Sequence, residues 1–254
     1  MIPRFADGRT AVRAVMFTAS TWSMAWDVYP VNIGQDGGMP EHRSGKPRYH
    51  HGDLRNALVR AAVDLARDGG PEAVVLRAAA RRVGVSATAA YRHFSGQSDL
   101  LAAVKDHAQQ CLVAAMEESR EGIRGEGVEA AREGVKALGR GYVRFALREP
   151  GLFRSAFCGT VDPLGADAAG PPHGGQHHPQ VRSFQMLTES LDALAEAGAL
   201  PATRRQGAEL SAWAMVHGVA VLIMGRHLGE LTQEQTTQVV ERAFDDLVAG
   251  LAAP

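Results

Sequence analysis

Between Leu76 and Phe94 the chain reads LRAAARRVGVSATAAYRHF, two short helical segments hinged on Gly84. This stretch constrains the fold more than any other. The first segment puts Leu76, Ala79, Ala80 and Val83 on one face and Arg77, Arg81 and Arg82 on the other, the period of an amphipathic helix. Gly84 then permits a sharp turn, and Ser86 is suited to cap a helix over Ala87–Phe94, because its hydroxyl accepts an early free backbone N–H. With Ala80, Val83, Ala90 and Phe94 placed to pack together, the two segments have the outline of a helix-turn-helix. In that motif the second helix enters the DNA major groove. Ala87, Thr88 and Ala89 are small enough to let its backbone approach, and the Thr88 hydroxyl or methyl suits a base edge. Tyr91 and His93 suit phosphates, which fix register without reading sequence, and Arg92 is long enough for either task.

The rest of the chain is also helical in period. Leu54, Leu58, Ala61, Ala62 and Leu65 form a stripe that stops at Gly69-Gly70-Pro71. Long stripes follow over Gln97 to Glu118 and Val128 to Leu147, then a short apolar segment Leu152 to Phe157. Helices are expected over Gln180 to Ala197, Thr203 to Leu228 and Thr232 to Leu251. Residues 159–179, rich in Gly, Pro and His, carry no period and read as a loop. No segment alternates like a strand, so the expected class is all α. The expected division is an N-terminal extension with little structure over 1–47, a three-helix DNA-binding domain over 48–98, and an α-helical ligand-binding and dimerisation domain over 99–254.

Charge supports a nucleic-acid partner. The formal net charge is −1, yet residues 41–97 hold ten Lys and Arg against five Asp and Glu. A basic block on a mildly acidic remainder suits one segment meeting a polyanion. Arg43, Lys46 and Arg48 precede the first helix as a basic arm, able to touch the minor groove or backbone, or simply to lie in solvent.

Together, LRAAARRVGVSATAAYRHFSGQSDLL resembles the DNA-binding signature of TetR-type transcriptional regulators, with its Gly-Val-Ser turn, Tyr-x-His-Phe ending and following Asp-Leu-Leu. The resemblance implies base contact by Arg77, Thr88 and the neighbouring Ala87 and Ala89, and phosphate contact by Tyr91 and His93. The site expected for DNA is therefore Arg48, Arg77, Ser86, Ala87, Thr88, Ala89, Tyr91, Arg92 and His93. Two positions depart from the family pattern. Val75 stands where a capping Thr or Ser is usual, and Gln97 where a phosphate-binding Lys is usual. Further on, Trp213-Ala-Met-Val-His217-Gly218 resembles the Trp-x-x-x-His-Gly pattern of the WHG subgroup. The spacing places Trp213 and His217 on one helix face, where His217 either hydrogen-bonds a ligand or partner subunit or is a satisfied core histidine.

The resemblance implies a homodimer on near-palindromic operator DNA that represses transcription until a small-molecule effector binds. A cavity for that effector is expected among the longer helices, with Cys111, Tyr142, Phe145, Phe153, Phe157, Met186, Trp213 and His217 as candidate lining; plain core packing is the competing role for each. The expected dimer helices are Gln180–Ala197 and Thr203–Leu228, where Ala214, Gly218 and Gly225 suit close packing.

Other classes find less support. Cys111 and Cys158 are the only cysteines and lie far apart, which gives neither a disulfide framework nor zinc spacing and fits a reducing cytoplasm. His173, His177 and His178 have no carboxylate or thiol at a convincing spacing, so no metal site and no cofactor is expected. There is no GxSxG, HExxH or phosphate-cradling glycine loop. A helical enzyme or a non-DNA interaction module on this fold remains the alternative. No membrane span is expected, because the longest apolar run, Ala212–Gly225, is 14 residues against the roughly 20 a bilayer needs; it reads as a helix buried on all sides. The AVMFTASTWSMAW stretch lacks the leucine-rich centre of a secretory leader, and Met39 is an alternative start.

Overall fold

The computed structural model describes residues 51–158 and 179–253. All of the regular structure there is helical: α1 (His51–Gly69), a 3-10 turn (Pro71–Ala73), α2 (Leu76–Val83), α3 (Ala87–Tyr91), α4 (Gln97–Arg120), α5 (Val128–Arg148), α6 (Pro150–Ala156), α7 (Pro179–Glu196), α8 (Ala202–Arg205), α9 (Ala208–Met224) and α10 (Gln233–Ala252). The all-α expectation holds. The 1–38 segment, the basic arm with Arg48 and the histidines at 173, 177 and 178 lie outside the described residues.

α1 buries Leu58, Ala61, Ala62 and Ala66, the i, i+3, i+4 set its sequence lays down. Gly70, at φ 77, ends it in the left-handed region. α2 buries Leu76, Ala79 and Ala80 and keeps its arginines outside. It closes at Gly84, φ 79, in a Schellman arrangement: the Val85 N–H donates to the Ala80 carbonyl (2.9 Å) and the Gly84 N–H to that of Arg81 (3.2 Å). Ser86 caps α3 as expected, its hydroxyl accepting from the Ala89 N–H at 3.1 Å.

Three expectations need correcting. α3 ends at Tyr91 rather than Phe94, because the chain tightens there: the Arg92 and His93 N–H groups bond back only three residues, to Ala89 and Ala90. The expected Thr203–Leu228 helix is two, α8 and α9, interrupted at Gly207, whose φ of 78 is incompatible with an α-helix. Nor is α9 buried on all sides. It buries Ala208, Ala212, Val216 and Ala220 but leaves Leu210, Met215 and Leu222 exposed.

The long helices stack around α4, whose stripe Leu100, Val104, Ala108, Leu112 is fully buried. Against it lie α1, α5, α6 and α7. Gly141 of α5 allows the closest crossing: a Cβ there would sit 2.5 Å from the Ala115 carbonyl oxygen. One apolar core runs without a break from Leu58 in α1 to Phe244 in α10. A smaller one, around Val135, Leu191, Leu194 and Leu251, closes the far end. α10 opens on a full capping box between Thr232 and Gln235 and is tied to α5 by Arg140, which pairs with Glu241 (2.6 Å) and Glu133 (2.5 Å).

Candidate nucleic-acid interface and aromatic cluster

The exposed side of α2 and α3 carries the residues expected to meet DNA. Arg77, Ser86, Thr88, Tyr91 and Arg92 are exposed, while Ala87, Ala89 and His93 are half-buried. Ala90 and Phe94 are buried beneath them, so the outer face is set by burial of the inner one. Tyr91 is 49% exposed, unusual for a large aromatic without a surface task. Arg82 is partly neutralised by Asp68 at 3.5 Å, whereas no ion pair holds Arg77 among the described residues. Val75 provides no side-chain cap to α2 and stands 38% exposed.

Sequence reasoning missed Arg55. Its guanidinium lies 4.8 Å from the centre of the Phe94 ring, a cation–π contact from α1 onto the end of the helix-turn-helix. Only tertiary packing of α1 against the segment that follows α3 brings the two together, and no local pattern in the sequence announces it. Asp99 adds a second fastening, accepting from the Ser95 N–H at 2.9 Å.

The second constellation lies in the body of the protein. Tyr142 from α5, Phe153 from α6, Phe157 just after it, and Trp213 and His217 from α9 form a continuous ring network. His217 is its hub: its ring centre is 5.5 Å from that of Phe153, 5.1 Å from Phe157, 5.8 Å from Trp213 and 6.2 Å from Tyr142. The Tyr142 hydroxyl and His217 Nδ1 share a hydrogen bond of 2.7 Å. Phe145 joins through Phe153. Phe145, Tyr142 and Phe153 are buried, whereas Phe157, Trp213 and His217 are half-buried, so the network reaches toward the surface on the α9 side. Burial pushes the Tyr142 phenol up and the His217 imidazole down, so both are neutral at pH 7.

Met186 is buried in the same core. Cys111 packs against that core as well, its thiol 3.6 Å from His107 Nε2. Burial raises its pKa to about 11, so the thiol is protonated and unreactive near neutrality. Sequence reasoning also missed Gln109, wholly buried on α4. Its amide donates to the Ala156 carbonyl at 3.0 Å, closing the C-terminus of α6. Lys105 does the same for the Cys158 carbonyl at 3.3 Å.

Residues 58–104, which contain the turn and the exposed α3 face, match the family described as bacterial regulatory proteins, tetR family. Residues 135–247, which contain the whole ring network and the Trp213–Gly218 motif, match the tetracyclin repressor-like C-terminal domain. The chain belongs to the TetR family. As a TetR-type regulator it is a DNA-binding transcriptional regulator. It is similar in fold to a protein of unknown function from Rhodococcus sp. RHA1, at 28% identity and a TM-score of 0.64, over 82% of this chain and 100% of the other. It also resembles the TetR-family transcriptional regulator PfmR from Thermus thermophilus, at 18% identity and a TM-score of 0.51, over 79% and 98%. A further likeness is to a bacterial regulatory protein of the tetR family from Rhodococcus RHA1, at 15% identity and a TM-score of 0.53, over 79% and 98%. No curated protein matches the chain. Among the described residues, no helix is long and apolar enough to cross a membrane.

Proposed function

We propose that this TetR-type regulator is a cytoplasmic, homodimeric repressor that binds a near-palindromic operator and is released by a small-molecule effector. The observation that carries the DNA-binding half is the exposed, capped α3 with Thr88, Tyr91 and Arg92 outward beside Arg77. Residues 48–98 act as the DNA-binding domain, with Arg77, Thr88, Ala87 and Ala89 toward base edges, Ser86, Tyr91, Arg92 and His93 toward the backbone, and Arg48 reaching from the arm. Residues 99–254 bind the effector and the second subunit.

For the dimer, the apolar face of α9 gives the best support. Leu210, Met215 and Leu222 are exposed in the single chain, and a Cβ on Gly218 would meet nothing within 4 Å. The outer face of α7 instead carries Glu189 and Asp192, which favours α9 as the apolar seam of the dimer. For the effector, the ring network around His217 is the site. Phe153 and Phe157 belong to the segment that packs on both α1 and α4, so displacing them shifts the DNA-binding helices. A ligand acts this way only if it prefers one arrangement over the other.

The test is selection of genomic DNA fragments on the wild-type protein, followed by gel shifts on a selected duplex. Wild type is expected to bind with strong salt dependence, and the Arg77→Ala, Tyr91→Ala double variant to lose specific binding, since both side chains are exposed and dispensable for folding. Wild-type protein with no salt-sensitive DNA affinity would refute the reading. Sedimentation of Leu222→Asp against wild type tests the dimer, with the variant expected as monomer.

A further inference from the structure

The ring network fixes more than a hydrophobic wall, because the proton positions in it can be worked out. Tyr142 and His217 are both neutral, so a single proton lies between Oη and Nδ1. Were the imidazole to donate from Nδ1, the phenol O–H would need another acceptor, and none pairs with it among the described residues. A buried hydroxyl left without an acceptor is costly. The phenol therefore donates to Nδ1. That places the imidazole proton on Nε2, on the opposite side of the ring from Tyr142. This Nε2–H has no partner among the described residues.

What faces the donor is chemically narrow. Aromatic rings from Phe153, Phe157 and Trp213 surround His217 at 5.1 to 5.8 Å between centres. Among the described residues no charged group pairs with His217 or Tyr142, and burial lowers the imidazole pKa. Lys105, whose ammonium reaches the residue after Phe157, is engaged there with the Cys158 carbonyl. An anion entering here would lose its hydration without meeting a counter-charge, and an ammonium, although ring faces attract cations, could not accept the Nε2–H. A neutral molecule with an acceptor oxygen meets neither penalty.

We propose that the effector is an uncharged aromatic compound bearing a carbonyl or similar acceptor oxygen, received by the His217 Nε2–H and stacked among Phe153, Phe157 and Trp213. This rests on the reading of the ring network as the effector site. The Trp213-x-x-x-His217 spacing then has a stated purpose: the tryptophan ring stands beside the histidine on one helix face, the phenol sets the histidine tautomer, and the histidine presents one donor.

The test uses the full chain and two measurements. Long-range 1H–15N spectra of the free protein, assigned with His217→Gln, report the tautomer; a proton on Nε2 is expected, and one on Nδ1 overturns the inference whatever binds. Acetophenone, ethylbenzene and benzoate are then titrated at pH 7, following the Trp213 indole N–H signal. Acetophenone is expected to bind about three- to ten-fold more tightly than ethylbenzene, the worth of one neutral hydrogen bond. His217→Leu should abolish that preference, and His217→Gln should retain part of it, because its amide also donates. Equal affinity of the two neutral probes for wild type overturns the inference but leaves an apolar effector site. Benzoate binding most tightly overturns it in favour of an anion site. If none of the three binds, the effector reading of the ring network fails with it.

Discussion

Gly151 is the position where α6 meets the backbone of α1 in tight contact, and its replacement by alanine tests the packing directly. A Cβ at 151 would stand 2.1 Å from the Ala66 carbonyl oxygen and 2.6 Å from that of Arg67. Ordinary contact begins at 3.4 Å, so the methyl is short of room by about 1.3 Å. Neither obstacle can swing aside, since both are backbone atoms near the end of α1, and the Ala66 oxygen also accepts the Gly70 N–H at 2.7 Å. The relief must come from α6 backing away as a body. That strains the Arg67–Glu149 pair (3.2 Å) and loosens Leu152 and Phe153, both buried. Overpacking of this kind costs about 1–3 kcal/mol. For a chain of this size each kcal/mol lowers Tm by roughly 2–4 °C. Urea and thermal unfolding of Gly151→Ala should show that loss. Gly134→Ala is the control: it lies within α5 with nothing within 4 Å of a Cβ, and should be neutral or up to about 1 kcal/mol more stable through helix propensity. Gly151→Ala unfolding within about 0.5 kcal/mol of wild type, the range of an ordinary surface change, would refute the close-packing argument.

Three further outcomes are expected. Ser86→Ala removes the only side-chain cap of α3 and should cost about 1 kcal/mol in urea unfolding together with a drop in operator affinity, since a five-residue helix has little else to hold its first turn. A double-mutant cycle of Arg55→Met and Phe94→Leu should show a coupling of about 0.5–1 kcal/mol in stability, and strictly additive effects would deny the cation–π contact. His217 and His107 both have pKa values lowered by burial from an ordinary 6.5, with Arg67 adding to the effect at His107. The unfolded chain therefore binds more protons below pH 6.5, so their stabilisation is present above that value and is lost as pH falls through the folded pKa values. The urea midpoint should fall between pH 7 and 5, and the fall should be shallower in a His107→Gln, His217→Gln variant; an unchanged slope would rule out both residues as its source.

Much of this architecture was legible because it is local. The stripe of α1, the inward set of α2, the Gly84 turn and the Ser86 cap each depend on spacings of four residues or fewer, and the sequence states those outright. What failed was local preference meeting tertiary geometry. α3 has helix-forming residues through Phe94, yet its end tightens so that Phe94 can drop into the core beneath Arg55. The uniform hydrophobicity of α9 read as burial on every side, because an apolar face left exposed and a face packed in the core have the same composition. Gly207 was visible as a letter but not as a left-handed break, since a glycine within a helical pattern is often tolerated.

The histidine of the Trp-x-x-x-His-Gly motif was the harder case, because the choice offered by the sequence, core histidine or ligand group, was wrongly framed. Imidazole has two nitrogens with separate fates. Nδ1 is satisfied internally by Tyr142, 75 residues away in sequence, which is what a core histidine looks like. That same bond fixes the proton on Nε2 and leaves a donor among aromatic rings, which is what a ligand group looks like. No spacing in the sequence could reveal this, because it depends on α5 lying against α9. Removing the Tyr142 hydroxyl should therefore damage recognition without touching the ligand: Tyr142→Phe frees the imidazole to place its proton on either nitrogen. The acetophenone preference should fall in that variant while ethylbenzene binding stays as in wild type. If Tyr142→Phe kept the full preference, His217 would be acting alone and the relay through the phenol would be refuted.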